Sequence, residues 1–246
     1  MKVVVQDLIV NYRDEGAGEA ILFLHGWQDN LHTFNSLIPF LPSWRLIRLD
    51  LPGFGGTEAP KRAWDLNDYV RFVEDFIKKI DLRVDIIIGH SFGGRIIIKG
   101  AERFCPRKVV LISSAGIAKR RTLRNSVLKL LTKIGSLITY IPPLIFYREK
   151  IKRKFYSSIG SDYLEAGSLK ETFLKIISEN LEERAKLMQL PTLLIWGSDD
   201  KETPLSEGER LSVAIPNLEL RVIKGAGHFV HRERPDEVAG LIKEFI

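Results

Sequence analysis

The stretch VDIIIGHSFGGRIII, residues 84–98, decides the fold. An apolar run from Val84 ends at Gly89, and a second run resumes after Gly94 with a different period. Between them stand a histidine, a serine and a phenylalanine, hemmed in by Gly89, Gly93 and Gly94. The first run is short and β-branched, which predicts a buried strand. The second continues at helical spacing, which predicts a helix. A serine on the sharp turn between them needs neighbours without Cβ atoms, and Gly89 and Gly93 supply that room. Gly94 lets the new helix lie close to its neighbours. The free N–H groups of the helix N-terminus then face any anion that develops beside Ser91.

Outward from this turn, short β-rich runs alternate with helical ones. KVVVQDLIVNYR reads as an opening pair of strands, AILFLHG and RLIRLDLPGFG as two more. LNDYVRFVEDFIKKI carries one apolar face at helical spacing, with Asp65 or Asn67 as its cap. KVVLISSAG, TLLIWGSDD and LELRVIKGAGH supply the remaining strands. The fold class expected is α/β, a mostly parallel sheet covered by helices on both faces. About 75 residues between LISSAG and TLLIWG break the alternation and read as wholly helical. TLRNSVLKLLTKIGSLITYIPP places Val127, Leu130, Leu131, Ile134, Leu137 and Ile138 on one face, with Arg124, Lys129 and Lys133 opposite, and Pro142 and Pro143 end it. The division expected is a core of residues 1–116 and 189–246 with a helical cap insertion at 117–188, its apolar face turned to the core.

Composition bounds the function. The chain has 246 residues, 45% of them hydrophobic and 28% charged, as a soluble globular protein has. No segment approaches a membrane span. Asp7 interrupts the apolar start, so no signal peptide is expected. The lone Cys105 allows no internal disulfide, and a cytoplasmic location is expected. Cys105 itself reads as a small apolar residue closing a helix. Net charge is +6, and residues 117–190 carry 15 Lys and Arg against 7 Asp and Glu. This basic insertion reads as a wetted face that could also touch acidic lipid surfaces. No recognition module accompanies it, so no nucleic-acid partner is expected. No metal-ligand spacing and no phosphate-binding glycine pattern follows a strand, so neither a metal nor a nucleotide cofactor is expected.

GHSFG fits G-x-S-x-G after a strand and before a helix. A serine hydroxyl is a poor nucleophile at neutral pH, so it needs a base, and the base needs an orienting carboxylate. Of five histidines, His25 reads as scaffold for the loop after its strand. His90 flanks the serine and should point away, and His32 opens a helical stretch. His228, in GAGHFVH just past the last strand, reads as the base, with His231 as the rival. The carboxylate should follow another strand, and WGSDD offers both Asp199 and Asp200.

The chain resembles the α/β-hydrolase fold superfamily over nearly its whole length. FLHGW (23–27), DLPGFGGT (50–57), GHSFGG (89–94), and WGSDD with GAGH carry the likeness. The resemblance implies Asp200 as the acid, the fourth residue after Trp196, and His228 as the base. It implies an oxyanion hole from the backbone N–H groups of Phe92 and Trp27. The implied chemistry is hydrolysis of a small carboxylic ester, thioester or lactone through an acyl-serine on Ser91. The serine sets the chain apart from the aspartate-nucleophile epoxide hydrolases and dehalogenases of that fold. Phe92 replaces the tryptophan of the proline iminopeptidases. HGWQDN lacks the glycine-proline-rich loop of the carbon–carbon bond hydrolases, which nevertheless remain an alternative. A lyase or a slow-turnover ligand-binding relative on the same residues also stays open.

Overall fold

The computed structural model describes residues 1–116 and 166–246. The chain divides into two units, residues 1–118 with 175–246, and residues 119–174. In the second, the described residues form a 3-10 turn at Gly167–Leu169 and the start of a helix, α3 (Lys170–Ser178). The stretch 122–143, with Leu130, Ile134, Lys129 and Lys133, lies outside the described residues. The first unit includes residues 175–188, which the sequence had assigned to the insertion.

The first unit is built on eight strands: β1 (Lys2–Val5), β2 (Leu8–Glu15), β3 (Ala20–Leu24), β4 (Arg45–Leu49), β5 (Ile86–His90), β6 (Lys108–Ile112), β7 (Thr192–Gly197) and β8 (Leu218–Ile223). They form one sheet in the order β1-β2-β4-β3-β5-β6-β7-β8. The β1–β2 and β2–β4 pairings are antiparallel, and every pairing from β4 to β8 is parallel. All the strands expected from the sequence are present, and the mostly parallel α/β class holds.

The remaining helices are α1 (Leu66–Lys79), α2 (Phe92–Phe104), α4 (Glu182–Lys186), α5 (Leu205–Ala214), α6 (Val230–Glu233) and α7 (Pro235–Phe245). One sheet face presents Ile21, Phe23, Ile86, Ile88, Val110, Ile112, Leu193 and Ile195, packed against Phe34, Leu37 and Leu41 and against the apolar residues of α6 and α7. Strand alternation sends Leu22, Ile87, Leu194 and Trp196 to the other face. There α1, α2, α4 and α5 pack side by side. Asp65 caps α1 in a reciprocal capping box with Asp68, which selects it over Asn67. The Arg62 guanidinium holds the Asp68 carboxyl down at about 2, against burial, with Arg71 adding to the effect. Cys105 does close α2, but it is exposed, in a left-handed conformation with φ 50°, rather than packed as an apolar residue.

Chain order places the site. After β3 the chain passes to β4 on one side, and after α1 it returns to β5 on the other side of β3. The loops leaving β3 and β5 therefore diverge, opening a crevice at the carboxyl ends of the strands, the place where open α/β sheets take ligands.

Candidate active site

Ser91 stands at that crevice. It has φ 48° and ψ −107°, a sterically costly conformation for a residue with a side chain. Its N–H donates to the Ile112 carbonyl (3.1 Å), which locks the turn onto β6. The glycines around it act by proximity rather than by unusual torsions. A Cβ on Gly93 would lie 2.0 Å from the Leu24 carbonyl oxygen. One on Gly94 would lie 1.9 Å from Ser114 Oγ, and one on Gly89 2.7 Å from the Gly93 carbonyl carbon. The strain sits on the serine, and the glycines let β3, β5 and α2 close around it.

The loop after β3 passes beside Ser91, since a Cβ on Gly26 would be 3.5 Å from Ser91 Cβ. The loop is tied at both ends. His25 Nδ1–H donates to the Gly26 carbonyl (2.7 Å), and His25 Nε2 accepts from the Leu51 N–H (2.9 Å). Buried Asp50 at the end of β4 gathers the neighbouring loops. Its carboxylate accepts from the Leu31 N–H (2.7 Å), the Gly56 N–H (2.8 Å) and Asn11 Nδ2 (2.7 Å). Trp27 and Phe92 meet with ring centroids 5.5 Å apart, and Phe54 packs on Trp27 at 4.8 Å. As the first residue of α2, Phe92 has no acceptor for its N–H within the helix.

Asp200 and His228 are brought together from the ends of β7 and β8. His228 Nδ1–H donates to Asp200 Oδ2 at 2.8 Å. The other carboxylate oxygen, Oδ1, accepts from the Glu202 and Thr203 N–H groups, both at 2.9 Å. Thr203 Oγ1 lies 2.8 Å from Asp200 Oδ2, 3.1 Å from His228 Nδ1 and 3.2 Å from the Ser113 carbonyl oxygen. Burial pushes the Asp200 carboxyl up, but the His228 hydrogen bond and charge and the Thr203 donors outweigh it, leaving the carboxyl below its ordinary value. Asp199 is exposed and accepts from Ser198 Oγ (2.7 Å) instead. Of the two aspartates at the end of β7, Asp200 is the one hydrogen-bonded to His228.

Two other histidines, His90 and His231, are buried beside it. His90 turns its Nε2–H to the His228 carbonyl (3.0 Å) and so holds the main chain of that residue. His231 is fully buried, its Nε2 paired with Thr33 Oγ1 (3.0 Å) and its carbonyl accepting from Ser36 Oγ (2.7 Å). His228, His90 and His231 stack in sequence, with ring centroids 4.8 Å and then 4.6 Å apart. Burial pushes His25 and His90 below the ordinary value of 6.5 and takes His231 to about 3. In the unfolded chain all three take protons below 6.5, while in the folded chain each takes its proton only at lower pH. Stability is therefore unaffected above that value and falls as the pH drops through it. His231, with its folded value at about 3, alone contributes a slope of about 1.4 kcal/mol per pH unit below 6.5, and His25 and His90 act in the same direction. Urea titrations at pH 7.5, 6.0 and 5.0 are expected to show a steep loss of folding free energy, and His231→Gln to flatten it. Equal stability at pH 7.5 and 5.0 would contradict this.

Sequence reasoning did not anticipate Asp50, Thr203 or the support that His90 gives to His228. Thr203 lies within DDKETP, three residues past the acid, and Asp50 opens DLPGFGGT, so proximity to a motif was the only signal. Among the described residues no cluster of three or more His, Cys, Asp or Glu is placed to hold a metal, and no helix is long and apolar enough to cross a membrane.

Comparison with known proteins adds to this geometry. The model of the alpha/beta hydrolase family matches residues 21–241. The chain is 27% identical to an uncharacterized hydrolase, YugF, of Bacillus subtilis, over 96% of this chain and 92% of that one. It is 28% identical to Lipase 1 of Psychrobacter immobilis, over 95% and 79%. A meta-cleavage product hydrolase from Pseudomonas fluorescens superposes with a TM-score of 0.75 at 24% identity, covering 100% of this chain and 96% of that one.

Proposed function

Because the chain belongs to the alpha/beta hydrolase family, we propose that it is a serine hydrolase that cleaves a small carboxylic ester, a thioester or lactone being the nearest variants. The observation that carries the reading is the Asp200–His228 pair, with its Nδ1–H fixed by hydrogen bonding, together with a serine held at φ 48°. His228 packs on His90, the residue immediately before that serine.

In the proposed reaction Ser91 Oγ attacks the ester carbonyl as His228 Nε2 takes its proton. Asp200 keeps the imidazole in the required tautomer and stabilises the imidazolium. The backbone N–H groups of Phe92 and Trp27 bind the tetrahedral oxyanion. Each such donor is worth about 3–4 kcal/mol of transition-state stabilisation. The alcohol departs with the proton from His228, and a water activated by the same nitrogen releases the acid. Ser91 follows β5, Asp200 follows β7 and His228 follows β8, all at the carboxyl edge. Gly116 and Leu181, which flank the insertion within the first unit, are joined by a hydrogen bond from the Leu181 N–H to the Gly116 carbonyl (3.0 Å). Arg95 on α2 donates to the Ile176 (2.6 Å) and Glu179 (2.5 Å) carbonyls. We assign substrate selection to this insertion, as a cap. A cytoplasmic setting belongs to the same proposal, and Cys105 is a free thiol.

The likeness to Lipase 1 favours an ester, and HGWQDN lacks the glycine-proline-rich loop of the carbon–carbon bond hydrolases. A panel of p-nitrophenyl esters of increasing acyl length, run beside a β-diketone, tests the choice. Turnover of short or medium esters with an initial burst of nitrophenol is expected. Cleavage of the β-diketone with no ester hydrolysis would move the chain to carbon–carbon bond cleavage.

A further inference from the structure

One charged group stands at the proton-carrying nitrogen and has no place in the proposed mechanism. Glu202 Oε2 lies 3.5 Å from His228 Nε2, the atom that must exchange a proton with Ser91 and with the leaving group. The Glu202 side chain is 59% exposed, while His228 is buried, so the carboxylate sits on the solvent side of the imidazole. Its placement is not left to a loose loop. The Glu202 N–H donates to Asp200 Oδ1 (2.9 Å), so the turn that carries Glu202 is built on the same carboxylate that holds His228.

We propose that Glu202 sets the substrate charge of this site, favouring neutral esters over those that carry a carboxylate near the scissile bond. This rests on the ester-hydrolase reading and narrows its substrate class. A negative substrate group at the mouth of the site would lie within several ångströms of the Glu202 carboxylate, and two like charges at that separation repel measurably even when partly solvated. The acid product is itself an anion formed beside His228, so the same charge hastens its departure. During attack His228 becomes positive, and Glu202 is a second anion facing it, from the side opposite Asp200. The basic excess of the insertion argues for anionic substrates, but that charge is spread along 74 residues. Glu202 is the acid placed at the reacting nitrogen.

The test compares p-nitrophenyl butyrate with mono-p-nitrophenyl glutarate, matched in leaving group and differing by one carboxylate. For wild type, Glu202→Gln, Glu202→Lys and Lys201→Gln, the ratio of kcat/KM for the two esters is measured at low and at high salt. Glu202→Gln is expected to raise the relative rate on the anionic ester about tenfold at low salt, and Glu202→Lys more. The effect should shrink at high salt. Calorimetric titration with butyrate, which needs no turnover, is expected to show tighter binding to Glu202→Gln than to wild type. A ratio unchanged within twofold in Glu202→Gln would overturn the proposal. So would a shift of equal size in Lys201→Gln, since that is a diffuse surface-charge effect. If no ester is turned over by the wild type, the hydrolase reading fails on its own, and the butyrate titration still decides the charge assignment.

Discussion

Ser91→Ala is expected to lower kcat by at least about three decades on every ester that the wild type turns over. The turn fixes the reason. Ser91 is the side chain that β5 delivers to the crevice between the loops leaving β3 and β5, and its torsions are paid for by packing that the glycines permit. Alanine keeps that backbone and removes only the hydroxyl proposed as nucleophile, while the proposed oxyanion donors are main-chain groups and persist. The expected signature is therefore a loss in kcat with little change in urea midpoint and with substrate binding retained. Residual activity above a tenth of wild type would mean that another group attacks the carbonyl.

Asp200→Asn is expected to cost about four decades in kcat, and Asp199→Asn less than about twofold. An asparagine at 200 can still accept from the Glu202 and Thr203 N–H groups through its Oδ1. That leaves its amide nitrogen toward His228 Nδ1, so the imidazole must carry its proton on Nε2. In that tautomer Nε2 cannot accept the proton of Ser91. Asp199 makes no contact with the histidine. It pairs with Ser198 Oγ, and its N–H bond to the Ala226 carbonyl (2.9 Å) belongs to the backbone and survives substitution. Steady-state kinetics of the two variants, with circular dichroism as the folding control, separate the roles. Equal losses would mean that the two aspartates share one function.

Strands β3 to β7 were legible because each is a short, largely apolar run buried on both faces and bounded by turn residues, while the part-exposed β1, β2 and β8 were legible from β-rich runs bounded by turn residues. The sharp turn at Ser91 was legible because the glycine spacing between strand and helix has a steric purpose, which the close approaches at Gly89, Gly93 and Gly94 match. What local spacing could not separate was Asp199 from Asp200. Both follow Trp196 closely, and the choice depends on the turn at 200–203, where the Glu202 and Thr203 N–H groups fold back onto one carboxylate. His90 was read as turned from the serine, but its bond to the His228 carbonyl spans 138 residues and has no sequence signature. Asp50 was equally silent, because its three partners lie far apart in sequence, on β2 (Asn11), at Leu31 and at Gly56. Residues 175–188 read as part of the insertion from helical periodicity, yet α4 packs on α2 and α5 of the first unit. Periodicity reports that a helix has an apolar face, not which surface covers it.

The most direct test is the mass of a covalent adduct formed at the nucleophile by an inhibitor. The protein is incubated with a fluorophosphonate, digested, and its peptides are mapped by tandem mass spectrometry. The account predicts one phosphonyl group per chain, on Ser91 within the peptide that contains GHSFGG, and none in Ser91→Ala. Stoichiometric labelling of a different serine, or none at Ser91 in a protein that hydrolyses esters, would contradict it.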